Sequence, residues 1–462
     1  LHGLISGRLD RLEKQTKRIL QEASVIGRDF LYEILKRITE LETRIDGELG
    51  HLERLDLIRA RSLQPDLEYM FKHALTQEVV YNGLLKKQRR EIHEQIALVM
   101  ESLFQDRLSD FHETLAFHFA RSRSTTKAVH YLVKSGEKSL ARYAVEEAHQ
   151  YFKKAYDILA SKGELSEEDK IILIDILSSW GNAFYYLGEI NEFVELFSTH
   201  EIMAESLAEK EKAGMFYVWL GVAHFMAGRP KQSYEYLSRG LAFGKIASNQ
   251  KVMGYACSWL TWACAELGLF DEGLDFGKQA QEFAKSFASD QYLFFKSLGG
   301  ICFINFFKGD AKKIFEDAKR LLEYAGRNAN NRSTVFGHWM KGFGHFIVGD
   351  MKSSQICNEK AIEVALDPAY AQFPISTLGS AYFLNGQLQK AEDILQPSIN
   401  FCEKHGMELL TTVCQMFQAP VFIALGHMVK GERQLENVRK AFQEKQRRVW
   451  YWKTKCPKSR FN

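Results

Sequence analysis

Leu378-Gly379-Ser380-Ala381-Tyr382-Phe383-Leu384-Asn385-Gly386-Gln387-Leu388-Gln389-Lys390-Ala391 is the stretch whose reading decides the fold. A Leu-Gly pair sits in an apolar run, Tyr382 follows three positions after Gly379, and Gly386 interrupts the run before Ala391. Small residues at such places let two helices approach closely, and a glycine between them stops one helix so that the chain can reverse into the next.

The same phrase recurs in pieces. Trp180-Gly181-x2-Phe184 precedes Gly188, Leu220-Gly221 precedes Gly228, and Ala148-x3-Phe152-x2-Ala155 supplies the second-helix half. Glycines at 188, 228, 268, 309, 349, 386 and 431 lie 40, 40, 41, 40, 37 and 45 residues apart. A period in this range marks stacked units that bury their apolar faces only against their neighbours, and the local texture is tetratricopeptide. The period exceeds the usual ~34, so helices or turns are longer than standard. Residues 130–445 hold about eight helix pairs at this period. The predicted fold class is all-α, a right-handed tetratricopeptide-like superhelix over 105–445.

Composition agrees. Seven prolines in 462 residues are few, while 32 glycines are ordinary, which suits many helices with glycine stops. Hydrophobic content of 46% with 26% charged residues excludes a mainly disordered chain. The seven cysteines all fall between Cys257 and Cys456 with no C-x-x-C pair, which points to reduced, buried thiols rather than a disulfide framework or zinc knuckle. No apolar run approaches a membrane span and no signal peptide is present, so a cytoplasmic location is expected. The chain begins at Leu1 rather than Met, which reads as a piece of a longer polypeptide. The net charge of +3 conceals an asymmetry: Lys430–Asn462 carries eleven basic and three acidic residues, leaving the remainder at −5.

Residues 1–104 have another pattern. Leu9, Leu12, Ile19 and Leu20 recur at helical spacing before Gly27; Asp29 is placed to cap a second helix through Ile38; a third runs near Leu41–Leu55. The period then changes to two short strands, Leu57–Arg61 and Leu67–Phe71, around a turn at Gln64-Pro65-Asp66. Three helices followed by a two-stranded wing describe a winged helix.

With those residues in view, Leu4–Ile38 and Tyr69–Glu101 resemble the region after the ATPase core of STAND-type signalling ATPases, most closely those joined to class III adenylate/guanylate cyclase domains. Glu113–Leu159, with Leu115-Ala116-Phe117-His118-Phe119, continues the resemblance into the first repeat. The resemblance implies a regulatory half. The winged helix would pack on an upstream nucleotide-binding core in cis, the repeats would sense a ligand or partner, and ADP or ATP would belong to that upstream core. It also implies a nucleotide-sensor role for His73, with Lys72 adding charge, since the family places a Met-His-Asp-like motif here whose His meets the β-phosphate of ADP. In this chain Lys72 stands for the Met and Ala74 for the Asp. The other reading of His73 is a helix cap packed against the wing.

Tests for chemistry within the chain return little. No G-x-x-x-x-G-K-[ST] occurs; Gly136-Glu137-Lys138-Ser139 is the nearest phrase and sits in a helical pattern. His93-Glu94-x-x-Ala97 and His112-Glu113-x-x-Ala116 lack the second His of a zinc pair, and no G-x-S-x-G is present. The expectation is no enzyme, no metal and no cofactor within this chain. DNA is disfavoured, because Thr39–Asp56 carries six acidic residues against Arg44 and Arg54. The run Lys86-Lys87-Gln88-Arg89-Arg90 reads as a solvated face, or as a contact to an acidic or nucleotide-bearing partner domain.

The basic aromatic tail, 446–462, reads as a capping helix with Trp450 and Trp452 packed, or as a membrane-surface or single-strand binder. A protein or small-molecule ligand is expected on the concave face, lined by the first helix of each pair, with Tyr217, Trp262 and Tyr382 as candidate contacts. The resulting assignment is the sensing and autoregulatory region of a signalling ATPase coupled to a cyclase-type effector. The alternatives are a stand-alone scaffold and the regulatory part of a STAND transcription regulator.

Overall fold

A computed structural model describes residues 2–39, 44–62, 67–287 and 290–455. Two compact units emerge, residues 1–138 with 150–163 and residues 139–149 with 164–462. The expected turn at Gln64-Pro65-Asp66, with Glu40, Glu42 and residues 456–462, lies outside the described residues.

The larger unit is a repeat-like superhelical array of helix pairs. Its first helices are α10 (Glu167–Leu187), α13 (Lys210–Met226), α15 (Gln250–Leu267), α17 (Gln291–Lys308), α19 (Asn331–Ile347), α21 (Pro368–Leu384) and α23 (Glu408–Ala424). Each is followed by an outer partner, α14 (Pro230–Ile246), α16 (Phe270–Ser286), α18 (Ala311–Asn328), α20 (Met351–Val364), α22 (Leu388–His405) and α24 (Met428–Glu444), while α10 has two short ones, α11 (Ile190–Thr199) and α12 (Glu201–Ser206). The described residues end in α25 (Arg448–Lys455).

Local chemistry sets these boundaries. Ser166 caps α10 by accepting from the Asp169 amide at 3.1 Å, while the Asp169 carboxylate accepts from the Ser166 amide at 3.3 Å. Later turns are shorter. Gly309 stops α17 and Asp310 at once caps α18, accepting from the Lys313 amide at 3.2 Å. Gly431 is not a member of this series, although its spacing suggested it. It lies inside α24, where a Cβ would meet the Ala419 carbonyl at 2.6 Å. The turn belongs to Gly426, in the left-handed region at φ 89°, which restores the 40-residue step from Gly386. The Leu-Gly phrase has the expected function: a Cβ at Gly379 would strike Leu395 of the partner helix at 2.5 Å.

Inner and outer helices differ in kind. Inner α17 buries Tyr292, Leu293, Phe295, Lys296 and nearly every later side chain, whereas outer α18 buries only Ile314, Ala318, Leu321 and Ala325 on one face. The inner helices are enclosed because the winding is tight, so that the earlier ones meet a helix five pairs further on. The Tyr143 hydroxyl, in the turn between α8 (Thr125–Ala141) and α9 (Val145–Ala160), accepts from the Asn331 amide of α19 at 2.9 Å. Tyr186 of α10 packs on Tyr370 of α21, ring centroids 5.4 Å apart. Gly228, after α13, lies against the Leu409 backbone of α23, and Glu266 of α15 pairs with Arg447 before α25 at 2.7 Å.

Two buried ion pairs brace this closure. Arg332 grips Asp367 through Nε at 2.6 Å and Nη2 at 2.9 Å, and its guanidinium lies 3.5 Å from the Tyr186 ring centroid. The six described cysteines are buried thiols, and burial pushes those of Cys257, Cys264 and Cys414 up to about 12. No helix among the described residues is long and apolar enough to cross a membrane.

The smaller unit opens with α1 (His2–Leu9), α2 (Lys14–Ile26), β1 (Asp29–Leu31), α3 (Tyr32–Ile38), α4 (Ile45–Arg54), β2 (Ile58–Ser62) and β3 (Glu68–Phe71). The strands form an antiparallel sheet in the order β1-β3-β2, consistent with a winged helix. Asp29 begins a strand rather than capping a helix. Its backbone pairs with Met70, in a register that β3 alone supplies. Ile19, Leu20, Leu35, Leu49 and Leu52 form the core beneath the sheet. Helices α5 (Ala74–Asn82), α6 (Lys86–Leu103) and α7 (His112–Phe119) follow.

His93 and His118, which show no metal spacing in the sequence, meet here. The His93 Nδ1 lies 2.9 Å from the His118 Nδ1, and the Tyr81 hydroxyl is 3.1 Å from the His93 Nε2. The row is satisfied when Tyr81 donates to His93 and the His93 Nδ1–H donates to His118. No group of three or more metal-ligating side chains gathers among the described residues. Burial lowers the His93 pKa to about 4 and that of His118 to about 3, with Arg121 adding to both.

Because an unfolded histidine titrates near 6.5, the unfolded chain binds protons that the folded unit refuses as pH falls below that value. Stability is therefore full above about pH 6.5 and declines toward pH 4, by roughly 2 kcal/mol per imidazole at pH 5. Urea midpoints at pH 7.5 and pH 5 should show this loss, and His118→Asn should remove about half of it.

Candidate functional site

The tight winding encloses an aromatic cavity on the inner face of the array. It is lined by Trp262 and Glu266 of α15, Phe303 and Phe306 of α17, Trp339 and Phe343 of α19, Phe373 and Thr377 of α21, Leu410 and Phe417 of α23, and Arg447 and Trp450 at the last turn. About 40 Å³ of free space remains, room for water-sized guests only. At one end Glu266, itself 1% exposed, accepts from Arg447 Nε at 2.7 Å, from Arg447 Nη2 at 3.3 Å and from Trp450 Nε1 at 2.9 Å. The Arg447 Nη1 reaches the Leu409 carbonyl at 3.2 Å and the Thr412 hydroxyl. A carboxylate and a guanidinium at this depth persist only because each satisfies the other.

Behind the Trp262 wall stands a second charged group with no such partner. The Lys296 Nζ lies 4.0 Å from the Trp259 ring centroid, 4.6 Å from Tyr185, 5.0 Å from Trp262 and 5.2 Å from Phe336. Among the described residues its one side-chain hydrogen bond goes to the Tyr185 hydroxyl, and the Trp262 Nε1 donates to the Lys296 carbonyl at 3.0 Å. The carboxylates that act on the adjacent Tyr186 are engaged elsewhere, Asp367 by Arg332 and Asp290 by the Tyr255 hydroxyl at 3.0 Å. Ring faces attract an ammonium, yet burial dominates and pushes the Lys296 pKa well below its ordinary value.

Of the three aromatic candidates, only Trp262 reaches the cavity. Tyr217 is fully buried between Tyr236 and Phe243, stacked at 6.1 and 5.5 Å, with the Arg239 guanidinium 4.3 Å from its ring centroid. Burial raises its pKa to about 12. Tyr382 is half-buried between helices, its hydroxyl donating to Glu359 at 2.7 Å. Both pack helices together.

His73 and Lys72 lie in the smaller unit. His73 is the N-cap residue of α5, exposed and making no side-chain cap bond, and with Arg8, Arg11 and Thr76 it lines an open depression beside α1. Lys72 does not line it. It pairs with Asp56, whose carboxyl it holds below the usual range. Lys86, Lys87 and Arg90 are exposed on the first turns of α6.

Glu266 and Lys296 are absent from the sequence-based candidates, and Arg447 figures there only as part of the basic aromatic tail. A signal existed for the first two, since each is a charge set among apolar residues of an inner helix, Glu266 after Trp259–Ala265 and Lys296 before Ser297–Phe307. Only the fold shows that Arg447 belongs with Glu266.

An uncharacterized protein of Rhizobium meliloti (strain 1021) is 32% identical over 113 residues, 24% of this chain and 10% of its own length. The chain thus spans about a tenth of the curated relative it matches. A Rap protein solved in complex with competence and sporulation factor is 11% identical, with a TM-score of 0.50 over 70% of this chain and 96% of its own. What they share is the fold. A STAND protein with a tetratricopeptide repeat sensor, from Pyrococcus horikoshii, covers all of this chain and 67% of its own at 13% identity and a TM-score of 0.37. No family model matches.

Lys296→Met should raise stability by about 1–3 kcal/mol at pH 7, because an apolar chain of similar volume replaces an amine without a carboxylate. In the wild type the unfolded lysine binds a proton that the folded one resists, so stability should climb from neutral pH toward about 9.5. That slope should vanish in the variant. Above about pH 10 the buried tyrosines, which resist ionisation, add a slope of opposite sign in both proteins. Urea midpoints at pH 7, 8.5 and 9.5 measure the difference.

Proposed function

We propose that this chain is the sensing and autoregulatory region of a STAND-type signalling ATPase. The repeat array takes a peptide, protein or small-molecule ligand on its inner face. The winged-helix unit relays the event to a nucleotide-binding core in cis and, beyond it, to a cyclase-type effector. In this reading the chain itself binds and regulates and does no catalysis. The observation that carries it is the enclosed aromatic cavity, whose walls come from helices five pairs apart. A ligand that displaces the side chains filling it would alter contacts that hold the winding, which is what a sensor needs.

Two further observations support the reading. The Rap protein that shares this fold was solved with competence and sporulation factor bound. Leu4–Ile38 and Tyr69–Glu101 resemble the region after a STAND ATPase core, and β2 and β3 in this unit pair antiparallel as a wing would. His73, beside Arg8 and Arg11 at the start of α5, is the group in this unit suited to a diphosphate from that core.

The parent polypeptide tests the reading. Removing residues 164–462 should change ATP turnover by about 5- to 150-fold, the range of ordinary coupling energies. Equal turnover with and without the array would show that it does not regulate, and would favour the scaffold. His73→Ala should lower ADP retention by about 10-fold or more, the worth of one hydrogen bond to a charged group. Unchanged retention removes the sensor role from His73.

A further inference from the structure

The polar end of the cavity is a socket filled by the chain's own last turn. Glu266 stands on α15, and Leu409 and Thr412 stand on α23; both helices are held by their own partners on either side. The occupant is Arg447 with Trp450, reached 181 and 184 residues after Glu266. Arg447 is 1% exposed and spends its donors on Glu266, Leu409 and Thr412. The Trp450 ring fits among Phe307, Phe417 and Phe442, with centroids 5.2, 6.4 and 6.3 Å away.

Two features separate this from a simple end cap. A cap covers the last pair, whereas these polar contacts reach Glu266 of the third pair as well as Leu409 and Thr412 of the last. Second, the occupant's withdrawal would leave Glu266 as a buried carboxylate without a cation, so the empty socket selects a guanidinium and rejects an apolar guest. The charge distribution favours the same class of ligand, because a body of −5 holds a tail of +8.

We propose that Glu266, Thr412 and the Leu409 carbonyl form a peptide-binding site for a helical segment bearing Arg and, three residues later, an aromatic side chain, and that residues 447–450 occupy it in cis. The spacing places both anchors on one helix face. A partner presenting this pair displaces α25, and its aromatic side chain takes the place of Trp450 among Phe307, Phe417 and Phe442. The proposal rests on the reading of the inner face as a ligand surface and names the ligand class.

The test uses the full chain carrying Arg447→Ala and Trp450→Ala, titrated with a fluorescein-labelled peptide of residues 444–455 and followed by anisotropy. The variant should bind with micromolar affinity, and the wild type about 100-fold more weakly, because its tethered occupant competes at high effective concentration. The same peptide with Arg447→Ala should lose about 10-fold or more. No binding to the variant, equal binding to variant and wild type, or indifference to the peptide's Arg would each overturn the proposal.

If the double variant fails to fold, Glu266→Gln in the otherwise wild-type chain serves. Trypsin should cut after Arg447 and Arg448 about 10-fold faster than in the wild type, because a neutral amide grips the guanidinium less. An unchanged rate would overturn the proposal. Neither measurement involves ATP turnover, so failure here and failure of the regulatory reading are told apart.

Discussion

Most inner helices of the array must satisfy two sets of neighbours, their sequential partners and a helix five pairs away. Tyr143 against Asn331, Tyr186 against Tyr370, Gly228 against Leu409 and Glu266 against Arg447 are four successive instances of that one offset. α17, in the middle of the array, meets Tyr185 of α10 and Trp450 of α25 instead and buries residues on all sides, while α18 keeps an ordinary amphipathic stripe. The large aromatics follow from the same constraint. Rings fill the wide space at the axis with few rotatable bonds, and Trp180, Trp219 and Trp259 are each 1% exposed.

Enclosure also decides which charges the inner face tolerates. Arg447 with Glu266 joins helices five pairs apart, whereas Arg332 with Asp367 joins consecutive pairs and reaches across the winding only through its stacking on Tyr186 of α10; each guanidinium is forked onto a carboxylate and backed by an aromatic ring. Such pairs add little net stability over apolar residues, but they are unforgiving of wrong register, because a slip of one turn strands two charges in a dry interior. The Arg447–Glu266 pair therefore specifies the five-pair offset more than it strengthens it. Lys296 is the exception. Four ring faces and one hydroxyl surround it, and none can take its proton's charge as a carboxylate would.

What could be read from the sequence divides along the same line. Helix stops are local, so the glycine period was legible over most of the array, and so was the Leu-Gly phrase at Gly379. It misled at Gly431, where spacing alone could not tell a turn glycine from one that lets helices touch; the backbone at Gly426 could. The wing was legible as strands because β2 and β3 are neighbours in sequence. The three residues of β1 were not, since Asp29–Leu31 becomes a strand only by pairing with residues some forty positions later. Tyr217 and Trp262 look alike in the sequence, an aromatic on a first helix. The winding sends one into a helix–helix seam and the other into the cavity wall.

An enclosed inner face changes what ligand recognition means for this array. On an open concave surface a guest displaces water, and affinity grows with the apolar area it covers. Here a guest must displace the protein's own side chains, so covered area counts for little and replacement chemistry counts for most. A ligand that fills the aromatic space but leaves Glu266 unpaired gives back much of what it gains. One that supplies a guanidinium exchanges like for like and leaves only the aromatic contacts to tip the balance. Selectivity then comes from the cost of the wrong guest, built into the socket by the residues that hold the winding closed.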